Sequence, residues 1–155
     1  MIVNPQRILL KKAVYPTTKK QWQPNSIDLT VDSIHLMKGV GKVLVEQVDL
    51  PELIEISPTL DMWNLIPGAY SVVFNEWVKV PKNMCANIIC RSSLNRCGSF
   101  ITTGLYDSGF DNRIGAILRV SHSIQIERNA RIATIYFMMA SAMGQYKGQY
   151  QGKST

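Results

Sequence analysis

Residues 70–81, YSVVFNEWVKVP, form a long run that is typical of a β-strand. Valine and aromatic residues are enriched in strands, and Pro81 lacks the amide hydrogen that would continue the pairing. Shorter runs elsewhere have the same character. SIDLTV (26–31) and VLVEQVDL (43–50) alternate apolar and polar residues, and further β-rich runs are ANIIC (86–90), SFITT (99–103), IGAILRVS (114–121) and ARIATIYFMMA (130–140). These runs predict a sheet built from many short strands.

Turn-forming residues separate the runs, and they fix the predicted class of fold. They occur at 38–39, 41–42, 67–68, 81–83, 109–112 and 127–129. Short strands with frequent turns predict an all-β fold, a jelly-roll-like β-barrel. Asn4 and Pro5 suit the N-cap and first position of a helix, so we expect a short N-terminal helix continuing through QRILLKKAV (6–14).

Composition narrows the classes of function. The 155 residues are 46% hydrophobic and 18% charged, with a formal net charge of +6, which suits one globular domain with a basic surface. Lysines and arginines form no dense run, so a nucleotide is favoured over nucleic acid as the anionic partner, and no nucleic-acid partner is expected. No apolar run approaches the roughly 18 residues of a membrane helix, so no membrane partner is expected. The N-terminal stretch lacks the features of a signal peptide, and we expect a cytoplasmic protein.

The sequence gives little support for a protein-held metal site or for a Ser-His-Asp catalytic triad. The three cysteines, Cys85, Cys90 and Cys97, match no zinc-binding spacing. The two histidines, His35 and His122, stand alone, so a histidine metal site or a Ser-His-Asp triad is hard to build. The cysteines are expected to be reduced thiols.

Three polar islands interrupt the apolar pattern. QPNSIDLTV (23–31) contains Asp28, either a satisfied structural acceptor or part of a site. CRSSLNRCG (90–98) contains two arginines and two serines, whose charged forks and hydroxyls can hold phosphates. TTGLYDSGFDNRIG (102–115) predicts a hairpin that carries a carboxylate, Asp107, beside glycines that let a ligand approach the backbone. Each island alone is weak, because a lone Asp in a turn is often a turn former. Together they fit a carboxylate base acting on water near bound phosphates.

The C-terminal segment 144–155 is rich in Gly, Gln, Tyr and Lys and has no strand pattern. Its composition fits a disordered end. It also fits a flap that closes over a ligand. We expect one β-rich domain over residues 1–143 and a flexible tail over 144–155 that closes over the site.

The three islands resemble motifs of the dUTPase/dCTP deaminase superfamily of trimeric β enzymes. The deaminase branch has Gln-Pro-x-Ser-x-Asp-Leu where this chain has residues 23–29, and Arg-Ser-Ser-Leu matches 91–94. TTGLYDSGF (102–110) is similar to the third motif, ARIATIYF (130–137) to the fourth, and QYQGKST (149–155) to the start of the glycine-rich C-terminal motif. The resemblance covers nearly the whole chain and implies a homotrimer with sites between subunits.

The resemblance implies a role for each matched residue. Asp107 is the implied catalytic base. Mg²⁺ is the implied cofactor, held by nucleotide phosphates and water, with Asp28 as a further candidate ligand. The implied phosphate-binding residues are Arg91, Ser92, Ser93, Arg96, Tyr150, Gln151 and Lys153. The implied base and sugar contacts are Thr102, Thr103, Gly104, Tyr106 and Phe110.

Position 117 decides which reaction the resemblance favours. Deaminases of the family carry a Glu ten residues after the Asp of the third motif, and this chain has Ile117 there. Isoleucine cannot transfer protons, so the expected activity is hydrolysis of dUTP to dUMP and pyrophosphate. Two alternatives remain: a dCTP deaminase or other pyrimidine deoxynucleotide triphosphate hydrolase, and an inactive nucleotide-binding regulator of the same fold. Thr134 replaces the usual Gln of the fourth motif, and Thr103 replaces a small Ala.

Overall fold

A computed structural model describes residues 1–6 and 12–152 of the chain. Strands dominate the described part, and its two helical pieces are short. A 3₁₀ turn spans Lys19–Gln21, and helix α1 spans Ser92–Arg96. The strands are β1 (Val14–Tyr15), β2 (Ile27–Lys38), β3 (Lys42–Val43), β4 (Val48–Asp49), β5 (Glu52–Glu55), β6 (Met62–Leu65), β7 (Gly68–Lys79), β8 (Met84–Cys90), β9 (Ser99–Thr102), β10 (Asp111–Val120), β11 (Ile124–Glu127) and β12 (Arg131–Met139).

The main sheet curls into a nearly closed barrel. Its strand order is β8-β12-β2-β7-β10-β9, and every pairing is antiparallel. The chain that follows β9 returns to the first strand, because Tyr106 forms an antiparallel bridge with Ala86 of β8. This return brings the two ends of the strand order together. The predicted all-β, barrel-like fold is confirmed.

The barrel interior is filled by the inward-facing residues of the long strands. β7 alternates through buried Val72, Phe74 and Val78, and β12 contributes Ile135 and Phe137. This period-two burial follows from the pleat of a strand, which points successive side chains to opposite faces. The core therefore holds β2, β7, β8, β10 and β12 as one unit.

One carboxyl group, that of Glu76, lies inside this core. Its oxygens accept hydrogen bonds from the Gln21 amide at 2.7 Å, the Thr30 hydroxyl at 2.6 Å and the Thr30 backbone amide at 2.9 Å. None of these donors is charged. Burial is the leading cause that raises the pKa of Glu76 above its usual value. Gln21 also donates to the Asp28 carbonyl at 3.0 Å, so the network links β7 to the start of β2.

Two elements differ from the sequence prediction. The alternating run 43–50 forms a hairpin of β3 and β4, closed by a hydrogen bond from the Leu44 amide to the Gln47 carbonyl, rather than one strand. All of its side chains are exposed, so no buried face required a continuous strand. The predicted N-terminal helix falls largely on residues 7–11, which lie outside the described residues, and its final residue, Val14, belongs to β1.

The sequence did not predict strands β5, β6 and β11. In the structure, β6 and β11 pair with each other. No helix in the described ranges is long and apolar enough to cross a membrane.

Candidate functional site

Asp107 lies on a turn that backbone bonds hold firmly. The Phe110 amide donates to the Asp107 carbonyl at 3.1 Å, and the Gly109 amide donates to the Val80 carbonyl at 3.1 Å. The Ser108 hydroxyl donates to the Met84 carbonyl at 2.5 Å. Gly109 has φ +82°, a conformation that favours glycine. The Asp107 side chain is nevertheless exposed, so a fixed backbone presents a free carboxylate to solvent.

The hairpin 102–115 forms a cleft beside this turn. Its volume is about 400 Å³, and Phe110, Tyr146 and Tyr150 contribute an aromatic wall. Gly104 and Gly115 expose backbone along the same cleft. Apolar walls with a few backbone groups are typical of small-ligand sites. The predicted contacts Gly104, Tyr106 and Phe110 therefore meet in one place.

Thr102 and Thr103 lie elsewhere on the hairpin. Thr102 lines a separate depression with Phe100 and Arg119. The Thr103 hydroxyl is 3.3 Å from the Asn87 side-chain oxygen and 3.5 Å from the Ile88 carbonyl, so it ties the hairpin to β8.

Tyr106 braces the inside of the hairpin. Its hydroxyl donates to the Gly115 carbonyl at 3.2 Å, across the two arms. Burial raises the pKa of Tyr106 to about 12, which keeps the hydroxyl a donor at neutral pH. Ile117 lies further along β10, where it pairs with Thr102 of β9 and Ser71 of β7.

The arginine–serine segment, residues 91–96, begins at the end of β8 and forms α1. Ser92, Ser93 and Arg96 are exposed, and Arg91 is partly buried. Arg91 is held by its amide, which donates to the Ile132 carbonyl at 3.0 Å, and by its guanidinium, whose Nε lies 3.2 Å from Asp28 Oδ2. The segment therefore offers solvent two hydroxyls and one unfixed guanidinium beside one anchored guanidinium.

Asp28 is the anchor of this region. Its Oδ2 accepts hydrogen bonds from Gln23 Nε2 at 3.1 Å and Arg131 Nη1 at 3.2 Å, and it forms an ion pair with Arg91, whose Nε lies 3.2 Å away. The Asp28 side chain is only 2% exposed. Two cationic partners offset part of the cost of removing a carboxylate from water. Asp28 thus acts here as a structural acceptor, the first of the two alternatives drawn from the sequence.

Within one chain, Asp107 and the arginine–serine segment lie at opposite ends of β8. Asp107 follows Tyr106, which pairs with Ala86, and it shares a cavity with Cys85. Arg91 follows the last residue of the same strand. Six residues separate positions 85 and 91, and at ~3.3 Å per residue this is about 20 Å. One chain therefore does not bring the carboxylate and the arginines together.

The tail folds back onto the hairpin of its own chain. The Tyr146 amide donates to the Ser108 carbonyl at 2.8 Å, and the Gly152 amide donates to the Asp111 carbonyl at 3.0 Å. Three further bonds involve side chains: Asn112 Nδ2 to the Tyr150 carbonyl at 2.6 Å, the Asp111 amide to Gln151 Oε1 at 3.2 Å, and Gln151 Nε2 to the Gly109 carbonyl at 3.0 Å. Lys153 lies outside the described residues.

Arg131 and Tyr146 belong to these sites but were not predicted. A signal for Arg131 was present, because a buried acid such as Asp28 needs cationic partners, and Arg131 opens the fourth matched motif. For Tyr146 the sequence carried no signal, because its place depends on how the tail folds back.

The acids of this chain provide few metal ligands. Among the described residues, no group of three His, Cys, Asp or Glu side chains could hold an ion. Among the described residues that line the cavity around Asp107, there is no second acid. Asp28 is already engaged by Gln23, Arg91 and Arg131. This small number of available acids fits a metal ion that is held mainly by a bound small molecule and by water rather than by protein side chains.

Two curated relatives match nearly the whole chain. A protein of Methanosarcina acetivorans named probable deoxyuridine 5'-triphosphate nucleotidohydrolase is 35% identical over 95% of this chain and 89% of its own length. A protein of Aeropyrum pernix with the same name is 33% identical over 99% of both chains.

Comparison with solved structures and with a family profile identifies the wider group of proteins that the chain resembles. The 2'-deoxycytidine 5'-triphosphate deaminase of Agrobacterium tumefaciens matches with a TM-score of 0.66 at 20% identity, over 90% of this chain and 48% of the deaminase. A mutant dUTPase of Staphylococcus bacteriophage 80alpha matches with a TM-score of 0.53 at 12% identity, over 90% of this chain and 97% of its own. These two likenesses show a shared fold. The profile of the dCTP deaminase-like family matches residues 5–140. The chain therefore belongs to the dCTP deaminase-like family, within the superfamily of dUTPases and dCTP deaminases.

Proposed function

We propose that this protein hydrolyses dUTP to dUMP and pyrophosphate. The observation that carries the proposal is an exposed carboxylate, Asp107, fixed beside a cleft with an aromatic wall. The relatives from Methanosarcina acetivorans and Aeropyrum pernix, both named probable deoxyuridine 5'-triphosphate nucleotidohydrolases, support the same reaction.

Asp107 acts as the general base in this proposal. It takes a proton from a water molecule as the water oxygen attacks the α-phosphorus. The bond from that phosphorus to the oxygen bridging to the β-phosphate then breaks, and pyrophosphate leaves. The turn bonds at Ser108, Gly109 and Phe110 support this role, because they fix the base without using its carboxylate.

The hairpin binds the base and sugar. Backbone groups at Gly104 border the cleft and can pair with the edge of a uracil, whereas the Gly115 carbonyl already accepts from the Tyr106 hydroxyl. Tyr106 and Phe110 frame the nucleoside, whereas Thr102 lines a separate depression. Thr103 and Tyr106 act largely by bracing the hairpin, because their hydroxyls already bond to protein atoms.

Ile117 favours hydrolysis over deamination. An aliphatic side chain at this position supplies no acid or base to a cytosine ring. A deaminase would need another proton carrier, and the described cleft lining contains neither Asp nor Glu.

Ser92, Ser93, Arg91 and Arg96 bind the phosphates, and they do so from a neighbouring subunit. The separation of about 20 Å along β8 supports this arrangement, because three linked phosphates cannot span it. A homotrimer with sites between subunits, in which Asp107 of one subunit faces residues 91–96 of the next, satisfies this geometry.

Mg²⁺ is the proposed cofactor, held by the phosphates and water, since Asp28 is engaged with two arginines. When bound, the ion offsets the negative charge of the phosphates. The tail closes over the triphosphate through Tyr150, Gln151 and Lys153. Gln151 must exchange its bonds with the hairpin for a phosphate contact in that state.

The test compares Asp107→Asn with wild type in the presence of Mg²⁺ and dUTP. Loss of a general base is expected to lower kcat roughly 10²- to 10⁴-fold while the Kd for dUTP stays nearly constant. Asp61→Asn is the matched control, because Asp61 is exposed, belongs to a distant loop and has φ +60°, which Asn tolerates. Unchanged kcat in Asp107→Asn would refute the assignment.

Parallel assays of wild type with dUTP and dCTP separate the alternatives. Pyrophosphate from dUTP without ammonia from dCTP is the expected result. Ammonia from dCTP would establish a deaminase, and tight nucleotide binding without either product would establish a binding protein.

A further inference from the structure

The side-chain amide of Gln21 links the buried carboxyl of Glu76 to the strand that carries Asp28. Gln21 is only 4% exposed, and its Nε2 donates to Glu76 Oε1 at 2.7 Å and to the Asp28 carbonyl at 3.0 Å. Its Oε1 accepts from the Thr18 backbone amide at 2.7 Å and from the Thr18 hydroxyl at 3.1 Å. The nitrogen and the oxygen of this amide are therefore both fully used, and the side chain has one fixed orientation.

The 3₁₀ turn that precedes β2 also supports the ion pairs of Asp28. The Lys20 carbonyl accepts from Arg131 Nη1 at 2.6 Å, and the same Nη1 lies 3.2 Å from Asp28 Oδ2. Gln23 Nε2 donates to that Oδ2 at 3.1 Å. The turn and the residues that follow it therefore hold Asp28 at its backbone carbonyl and at its side-chain carboxylate.

Asp28 passes this restraint on to the guanidinium of Arg91. Arg91 Nε lies 3.2 Å from Asp28 Oδ2, and the Arg91 side chain is 30% exposed. Its described hydrogen bond, from Nη1 to the Arg131 carbonyl, is long at 3.4 Å and therefore weak. An arginine side chain has many rotamers in water, so the carboxylate contributes most to its orientation. The place of Asp28 thus decides where the Arg91 guanidinium points.

We infer that Gln21 is a positioning residue that orients the Arg91 guanidinium through Asp28. Gln21 precedes the first matched motif, so it adds a residue outside the motifs. Its effect on turnover rests on the proposed function, in which Arg91 binds phosphate, whereas the orientation itself does not. Without the Gln21 amide, Glu76 keeps its two bonds from Thr30, so the core can stay folded while the link to Asp28 is lost.

The first experiment compares crystal structures of wild type, Gln21→Met and Tyr70→Phe. Methionine fills a similar space but has no amide. Tyr70→Phe is the matched control, because Tyr70 is 5% exposed near the start of β7 and its hydroxyl donates to the Ile66 carbonyl at 2.8 Å. In Gln21→Met, Arg91 Nε should leave its contact with Asp28 or become disordered, and Tyr70→Phe should retain the contact. A retained contact in Gln21→Met would overturn the inference. If Gln21→Met does not fold, Gln21→Asn takes its place with the same expectation, because an amide one methylene shorter cannot make both bonds.

Kinetics with dUTP then separate positioning from general stability. Well below the Tm of each variant, Gln21→Met should raise KM about tenfold and change kcat by less than about twofold, because a misplaced Arg91 weakens phosphate binding in the ground state and transition state alike. Tyr70→Phe should lower Tm but leave KM unchanged. In an Arg91→Ala background, Gln21→Met should raise KM no further, since it acts through Arg91. An additional tenfold rise in that background would contradict the inference.

The two experiments also separate the inference from the proposed function. If wild type does not hydrolyse dUTP but Gln21→Met displaces the Arg91 guanidinium in the crystal, the proposed function is wrong and the inference stands. If wild type hydrolyses dUTP and Arg91 keeps its contact with Asp28 in Gln21→Met, the inference is wrong and the proposed function stands.

Discussion

Replacing Asp28 by Asn tests the anchor of the arginine–serine segment. The substitution keeps the size of the side chain and removes its negative charge. In the native protein Asp28 Oδ2 lies 3.2 Å from a guanidinium nitrogen of Arg91 and 3.2 Å from one of Arg131. Removing one partner of a buried ion pair costs about 3–5 kcal/mol. The two arginine side chains are 30% and 35% exposed, so water offsets part of the loss. We expect a destabilisation of roughly 2–3 kcal/mol.

Thermal unfolding measures this cost. For a chain of this size, each kcal/mol lowers Tm by roughly 2–4 °C, so Asp28→Asn should lower Tm by about 4–12 °C. Arg91 also loses its orientation, so KM for dUTP should rise while Asp107 remains in place. Asp32→Asn is the matched control. Asp32 bonds to Arg113 at 2.6 Å with side chains 37% and 32% exposed, and such an open pair contributes about 0–1 kcal/mol. Equal Tm values for the two variants would refute the reasoning.

Two further predictions concern buried positions. The raised pKa of Glu76 means that its contribution to stability is complete below the unfolded value near 4.5 and is lost as pH rises through the higher folded value. Glu76→Gln should therefore flatten the fall in the free energy of unfolding, measured in urea, as pH rises above about 4.5, and a slope equal to that of wild type would contradict the assigned burial effect. Ile117→Glu alone should release no ammonia from dCTP, because Thr103 also departs from the deaminase pattern and is bonded to β8. Rapid ammonia release would show that position 117 is sufficient.

The strands that form the barrel could be predicted because their burial alternates. β7 and β12 carry β-branched and aromatic residues on the inward face, and this pattern survives in the sequence. The run 43–50 has the same alternation but lies outside the core, where nothing selects one face. Alternation of apolar and polar residues predicts a continuous strand only where a core buries one face. The sequence therefore did not predict the β3–β4 hairpin.

The site was predicted in its residue types but not in its contacts. The family resemblance implied Asp107, Gly104 and Phe110, and they lie close together because a short hairpin joins near neighbours. Tyr146 packs on Phe110 across 36 residues of chain, and no local pattern encodes that contact. Arg131 meets Asp28 across 103 residues for the same reason. The Arg131–Asp28 pair depends on the register of β12 against β2, which single residues do not specify.

The solvent exposure of the polar groups has one explanation within the proposed function. Burying a carboxylate or guanidinium without a partner costs several kcal/mol, so a folded chain keeps unpaired charges at its surface. Asp28 and Arg91 are buried or partly buried because they satisfy each other, whereas Asp107 and Arg96 are exposed. If the phosphates and a second subunit supply the missing partners, each chain can fold with these groups in water and desolvate them only when substrate is present.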